Sequence, residues 1–165
     1  MIVAVMSDSH DHLDKLRRAL EIIRKEKAEA IIHCGDFVAP FVLRELEKPG
    51  IPVHGVFGNN DGDRYLLTKL SLTELSNITL YDPVGQVDFG GYGIAFTHYQ
   101  EVAEGIVLSG KYDLVCYGHT HTAVHRKIGD TDFLNPGEIM GKDGAPTFYM
   151  VDTVNRSFEK FELNL

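Results

Sequence analysis

The sequence predicts an α/β domain made of two β-sheets with helices on the outside, and three observations carry that prediction. Short β-branched runs alternate with segments of helical periodicity through the first half of the 165-residue chain. The second half trades most of those helices for apolar stretches separated by Gly-Gly, Gly-Asp and Asn-Arg turns. No repeat, low-complexity tract or Pro/Ser-rich linker interrupts it, so residues 1–165 are expected to form a single domain.

The run IVAVMS is apolar and β-branched, and a polar DSH follows it. In DHLDKLRRALEIIRKEKAE, Leu13, Leu16, Leu20 and Ile23 recur at helical spacing, which predicts an amphipathic helix whose charged runs are its solvated face. AIIHCGD is a second buried strand with its loop, and PFVLRELEK a short helix stopped by Pro49-Gly50. IPVHGVFGNND is a third strand running into a Gly-Asn loop. Strand–helix–strand–helix–strand implies parallel strands joined by right-handed crossovers. A helix is expected from about 66 to 75, then a hairpin in VGQVDFGGYGIAFTH around Gly90-Gly91. EVAEGIVLSGKY reads as a helix and DLVCYGHTH as a strand. The remainder reads as antiparallel strands, meander-like behind the α/β front.

Composition narrows the function classes. A formal net charge of −8 argues against holding nucleic acid through its phosphates, which needs a basic face. It leaves room for an anionic substrate held by metal ions, which bring their own positive charge. The N-terminus lacks a basic n-region and a small-residue cleavage site, so it does not read as a signal peptide. No apolar run approaches the roughly 20 residues of a membrane helix. Cys34 and Cys116 sit in apolar runs and read as buried free thiols, which fits a cytoplasmic protein. Exposed aromatics and strand edges leave a homo-oligomer open.

The ends of the expected strands carry the chemistry. The first ends in SDSH, with Asp8 and His10; the second in CGDF, with Asp36; the third in GNND, with Asn59, Asn60 and Asp61. Later strands end in FTHY, with His98, and in YGHTH, with His119 and His121. Beyond the carboxyl ends of α/β strands lies the usual ligand crevice. In extended backbone, residues two apart face one side, so Asp8 with His10 and His119 with His121 could each aim two donors at one centre. Gly35, Gly58 and Gly118 precede these residues and are expected to permit the tight turns that aim them.

Imidazole and oxygen donors without a thiolate suit Mn, Fe, Ni, Co or Zn better than Mg or Ca. Asp8, His10, Asp36, Asn59, His98, His119 and His121 are too many for one zinc-like ion, which takes about four ligands. Two ions sharing Asp36 can each have four, and their excess positive charge favours a bound hydroxide and an anionic substrate. That combination describes a binuclear hydrolase.

As an ordered set, D-x-H, G-D, G-N-N-D, a histidine closing a strand and G-H-T-H resemble the calcineurin-like metallophosphoesterase superfamily. The length and Asn135-Pro136-Gly137-Glu138 resemble its small, cap-less phosphodiesterase branch of bacteria and archaea. The resemblance implies a four-layer αββα sandwich of two mixed β-sheets flanked by helices. It also implies one ion on Asp8, His10, Asp36 and His121, and the other on Asp36, Asn59, His98 and His119. Manganese leads the expected pair of divalent ions, with Ni, Co, Fe or Zn as alternatives. The implied reaction is hydrolysis of small phosphodiesters by a bridging hydroxide. The alternative is the scaffold use of this fold, as in the retromer coat, although all seven donor positions here carry competent residues.

Two positions depart from the family pattern. Many members have a histidine in the third motif that contacts the substrate phosphate, and here Asn60 stands there. Asn60 is therefore the expected catalytic residue, orienting the phosphoryl group together with Asn59; its amide donates hydrogen bonds but no proton. His98 is followed by Tyr99 rather than glycine, which narrows the pocket or offers a ring to stack on. The other conspicuous residues read blandly. Asp61 suits an Asx turn or a bond to a ligating histidine. His12 suits a solvated helix end, His33 and His54 core hydrogen bonds, and His125 a surface strand.

Overall fold

The computed structural model describes residues 1–163, so the last two residues of the expected 1–165 domain lie outside the described residues. The described residues form eleven strands and four helices, strand and helix alternating through the first half as the sequence leads one to expect. They are β1 (Ile2–Met6), α1 (Leu13–Lys25), β2 (Ala30–His33), α2 (Pro40–Glu47), β3 (Val53–Val56), α3 (Arg64–Thr73) and β4 (Ile78–Tyr81). Then come β5 (Val84–Asp88), β6 (Gly93–Thr97), α4 (Gln100–Val107), β7 (Leu114–Cys116), β8 (Val124–Ile128), β9 (Thr131–Asn135), β10 (Thr147–Asp152) and β11 (Ser157–Glu162).

One sheet runs β11-β10-β1-β2-β3-β4 and the other β5-β6-β7-β9-β8, both of mixed direction. The β1, β2, β3 and β4 strands are parallel, as are β6, β7 and β9. The continuous apolar runs of these strands follow from burial on both faces. In β1, Ala4 and Met6 pack under α1, α2 and α3, whereas Val3 and Val5 face the second sheet. In β6 and β7 the division repeats: Ile94, Phe96, Leu114 and Cys116 face the first sheet, while Ala95 and Val115 pack under Ala103 and Val107 of α4. The layers are thus helices, sheet, sheet, helix. Each fully buried Val, Ile or Phe contributes about 1.5–3 kcal/mol.

Two parts of the fold differ from the sequence reading. Residues 78–81 form β4, an edge strand that the sequence reading passes over between a helix and a hairpin. Ile78 is its one buried side chain, so its apolar pattern is weak. The C-terminal half is not one meander. The β8–β9 hairpin joins the second sheet with β9 parallel to β7, and β10–β11 returns to the first sheet antiparallel to β1. Among the described residues no helix is long and apolar enough to cross a membrane. Cys34 and Cys116 are free and buried.

Candidate metal centre

Parallel strands put their carboxyl ends at one edge. The loops after β1, β2, β3, β6 and β7 meet there and bring together all seven donors anticipated from the sequence. They surround a pocket of about 460 Å³ that opens over His10, Asp36, Asn59, Asn60, His119 and His121.

How the loops aim these side chains differs from the expectation of extended alternation. Asp8, His10, Asp36, His119 and His121 all have positive φ, between 41° and 66°, and they are five of the nine such non-glycine residues described. Asp and His tolerate this left-handed region better than most residues, yet such backbone still costs of order 1 kcal/mol or more at each position. Of Gly35, Gly58 and Gly118, only Gly35 turns with positive φ. Gly118 is needed for space instead, because a Cβ there would collide with the Ser7 hydroxyl and Asp8.

The donors form two overlapping groups. Asp8, His10 and His121 offer ligand atoms within 4.8 Å of one another, and so do Asp8, Asp36 and His98. His121 Nε2 lies 3.4 Å from Asp8 Oδ1, and His10 Nε2 lies 3.3 Å from Asp36 Oδ2. On the far side, Asn59 Oδ1 is 2.9 Å from both His98 Nε2 and His119 Nδ1. Buried polar atoms normally find hydrogen-bond partners. Here Asp8 Oδ1 and His10 Nε2 are buried without one, inside a cluster of oxygen and imidazole donors. A divalent cation is the partner such a set fits.

Surrounding bonds orient the donors. His98 Nδ1 faces the Cys34 carbonyl oxygen at 2.8 Å, which assigns the proton to Nδ1 and turns the Nε2 lone pair inward. The Asp61 carboxylate accepts from the backbone N–H groups of Asp36, Val38 and Gly58, binding two of the loops together rather than adding a ligand. His33 bonds Ser9 and Gly35, and burial pulls its pKa down to about 3, as befits a neutral core imidazole. His54 faces the Tyr81 hydroxyl, and His125 on β8 pairs with Asp132 on β9.

The carboxylates and imidazoles of the cluster shift one another's ionisation. Burial alone would raise the Asp8 carboxyl, but the imidazoles of His10 and His121 beside it, with Ser7, outweigh this and hold it well below the carboxylate range. In return the Asp8 carboxylate, working against burial, pushes His121 up to about 9, with Glu138 and Asp143 adding to the effect. His121 Nδ1 lies 3.0 Å from Glu138 Oε2 and 3.1 Å from Asp143 Oδ2.

A calcineurin-like phosphoesterase superfamily domain model matches residues 1–156. The chain belongs to this superfamily. It is 39% identical over 166 residues to a phosphodiesterase of Methanocaldococcus jannaschii, covering 99% of both chains. The solved structure of an archaeal phosphodiesterase superposes with a TM-score of 0.90 at 38% identity, covering 99% of this chain and 100% of that one. Vps29 from Entamoeba histolytica superposes with a TM-score of 0.70 at 17% identity, covering 99% of this chain and 100% of that one, a likeness of fold alone.

Within this calcineurin-like frame, two residues near the donors were not among the expected site residues. One of them, Glu138, is noted in the sequence only as the end of the Asn135-Pro136-Gly137-Glu138 run. Glu138 is wholly buried beside His121, and Asp143 flanks the same imidazole. Reading β8 and β9 only as an antiparallel hairpin hid that β9 is parallel to β7, so its carboxyl end opens at the same edge. In the sequence the Asn135-Pro136-Gly137-Glu138 run stands out only through the family resemblance. Its Asn135 amide in fact donates to the Gly118 carbonyl and Thr120 Oγ1, tying down the loop that carries His119 and His121.

Proposed function

We propose that this chain hydrolyses small phosphodiesters with two divalent cations bound in the pocket. The observation that carries the reading is the position of Asp36. Its Oδ2 lies 3.3 Å from His10 Nε2 and 3.5 Å from His98 Nε2, so one carboxylate serves both halves of the donor set. On this reading Asp8, His10, Asp36 and His121 hold one ion, and Asp36, Asn59, His98 and His119 the other. When bound, such an ion pair supplies a hydroxide nucleophile at neutral pH and positive charge against the phosphate oxygens. Manganese is the first choice, with nickel, cobalt, iron and zinc sharing its fit to imidazole and carboxylate. The full-length similarity to a phosphodiesterase supports the reaction class. Two free, buried cysteines support a cytoplasmic setting.

The chain's own residues supply orientation. Asn59 and Asn60 project from the loop after β3 into the pocket, where their amides orient the phosphoryl group. No protein nucleophile is required. Cys34 and Cys116 lie between the sheets, and burial with the neighbouring Cys116 pushes the Cys34 thiol up, away from the reactive thiolate. An amide at position 60 cannot protonate a leaving oxygen, so phenolates are expected to leave faster than alkoxides.

The test is hydrolysis of bis-p-nitrophenyl phosphate by chelator-stripped protein before and after Mn²⁺, with His98→Ala and Asp36→Asn as controls. Activity that returns with metal and is lost in both variants is the expected result. A folded protein that stays inactive with Mn²⁺, Ni²⁺, Co²⁺ and Zn²⁺ overturns the reading and leaves a binding module in its place.

A further inference from the structure

Of the ten residues around the pocket, Lys142 alone carries a permanent positive charge. Its side chain is 66% exposed, and its Nζ stands 3.9 Å from Asp143 Oδ2, too far for a hydrogen bond. The ammonium thus pairs with Asp143 by charge alone and makes no hydrogen bond to it. Its backbone, by contrast, is tied on both sides. Glu138 Oε1 accepts from the N–H groups of Asp143 at 2.6 Å and Gly144 at 2.8 Å. Lys15 Nζ, reaching over from α1, donates to the Met140 carbonyl at 2.6 Å. Gly141 turns the chain with φ +60°, and a Cβ there would meet Lys15 Nζ at 2.7 Å. A flexible cation is thus mounted on a fixed lip. Glu138 belongs to both sides, holding the lip with Oε1 and facing His121 with Oε2.

We propose that Lys142 is a specificity-determining residue that receives a second anionic group of the substrate, adjacent to the scissile phosphodiester. This rests on the phosphodiesterase reading above. The preferred substrate class is then phosphodiesters bearing a further phosphate, rather than singly charged diesters. Lysine suits this role as a point charge on a long stem, which accepts a phosphate without demanding one geometry. Because the ammonium is exposed, its contribution is modest and felt in binding rather than in chemistry.

The experiment compares the p-nitrophenyl ester of thymidine 5′-phosphate with the same ester carrying a 3′-phosphate, a pair with one leaving group and different charge. Wild type and Lys142→Ala, both Mn²⁺-loaded, are assayed on each, with Lys142→Arg as the conservative variant. Calorimetry measures binding of the corresponding mono- and bisphosphate products. Expected is a rise of about three- to tenfold in KM for the 3′-phosphorylated ester in Lys142→Ala, with kcat unchanged. The singly charged ester should be unaffected, the bisphosphate product should bind correspondingly more weakly, and Lys142→Arg should restore both. Equal changes on the two esters, or none, overturn the proposal while leaving the phosphodiesterase reading intact. A folded wild type that cleaves neither ester overturns both.

Discussion

Asn60 grips both oxygens of Asp36: its backbone N–H donates to Oδ1 and its side-chain amide to Oδ2, each at 2.8 Å. The residue singled out from the sequence as a phosphate contact is therefore also a clamp on the carboxylate that, in the proposed centre, the two ions would share. Asn60→Ala keeps the backbone bond and loses the other. Groups that orient a ligating carboxylate typically matter about 10- to 100-fold in metal affinity or activity. Asn60→Ala should thus lose affinity for Mn²⁺ as well as kcat/KM, read by metal titration and by bis-p-nitrophenyl phosphate hydrolysis. A purely catalytic Asn60 would leave the metal titration untouched.

Metal should stabilise the fold. Asp8 Oδ1 and His10 Nε2 are buried without partners, and a bound cation satisfies both. At a hundredfold excess over Kd, each site adds about 2.7 kcal/mol. Melting of chelator-stripped protein should therefore rise by several degrees on adding Mn²⁺, and Asp8→Asn should blunt the rise. A melting temperature indifferent to Mn²⁺, Ni²⁺, Co²⁺ and Zn²⁺ would contradict the proposed centre.

Gly118→Ala should be destabilising although its φ is not positive. The new methyl has nowhere to go between the Ser7 hydroxyl, Asp8 Oδ2 and the Cys34 carbonyl. Overpacking of this kind costs about 1–3 kcal/mol. Urea unfolding at neutral pH measures it, and a variant of wild-type stability would mean that the loop carrying His119 gives way easily.

Glu45 makes part of the stability pH-dependent. Its carboxylate takes Arg17 Nη2 at 2.8 Å and Lys48 Nζ at 2.6 Å, tying α1 to α2. The Arg17 hydrogen bond, against burial and with help from Lys48, lowers its pKa from 4.5 to about 2. A depressed carboxyl stabilises above its unfolded pKa, so this contribution is complete above about pH 5 and fades as pH falls toward 2. Glu45→Gln should cost about 1 kcal/mol at pH 7, and the difference from wild type should shrink toward zero in the acid range. Urea titrations across pH 2–7 give the curve. A deficit that is constant with pH would show that packing, not charge, is what Glu45 contributes.

By itself the sequence determined the front of the fold and the chemistry at its strand ends. Periodicity marks β1, α1, β2, α2 and β3 because strands buried on both faces read as unbroken apolar runs, and a helix buried on one face cannot. The donors Asp8, His10, Asp36, Asn59, His98, His119 and His121 were legible because each follows an apolar run at the point where the backbone leaves the sheet. Tertiary structure alone decided how those donors meet. The left-handed turns at five of them, the edge strand β4, and the pairing of β9 beside β7 depend on contacts between residues far apart in the chain. Glu138 and Lys142 join the site only through that last pairing, because a parallel neighbour carries its following loop to the same edge while an antiparallel one carries it away.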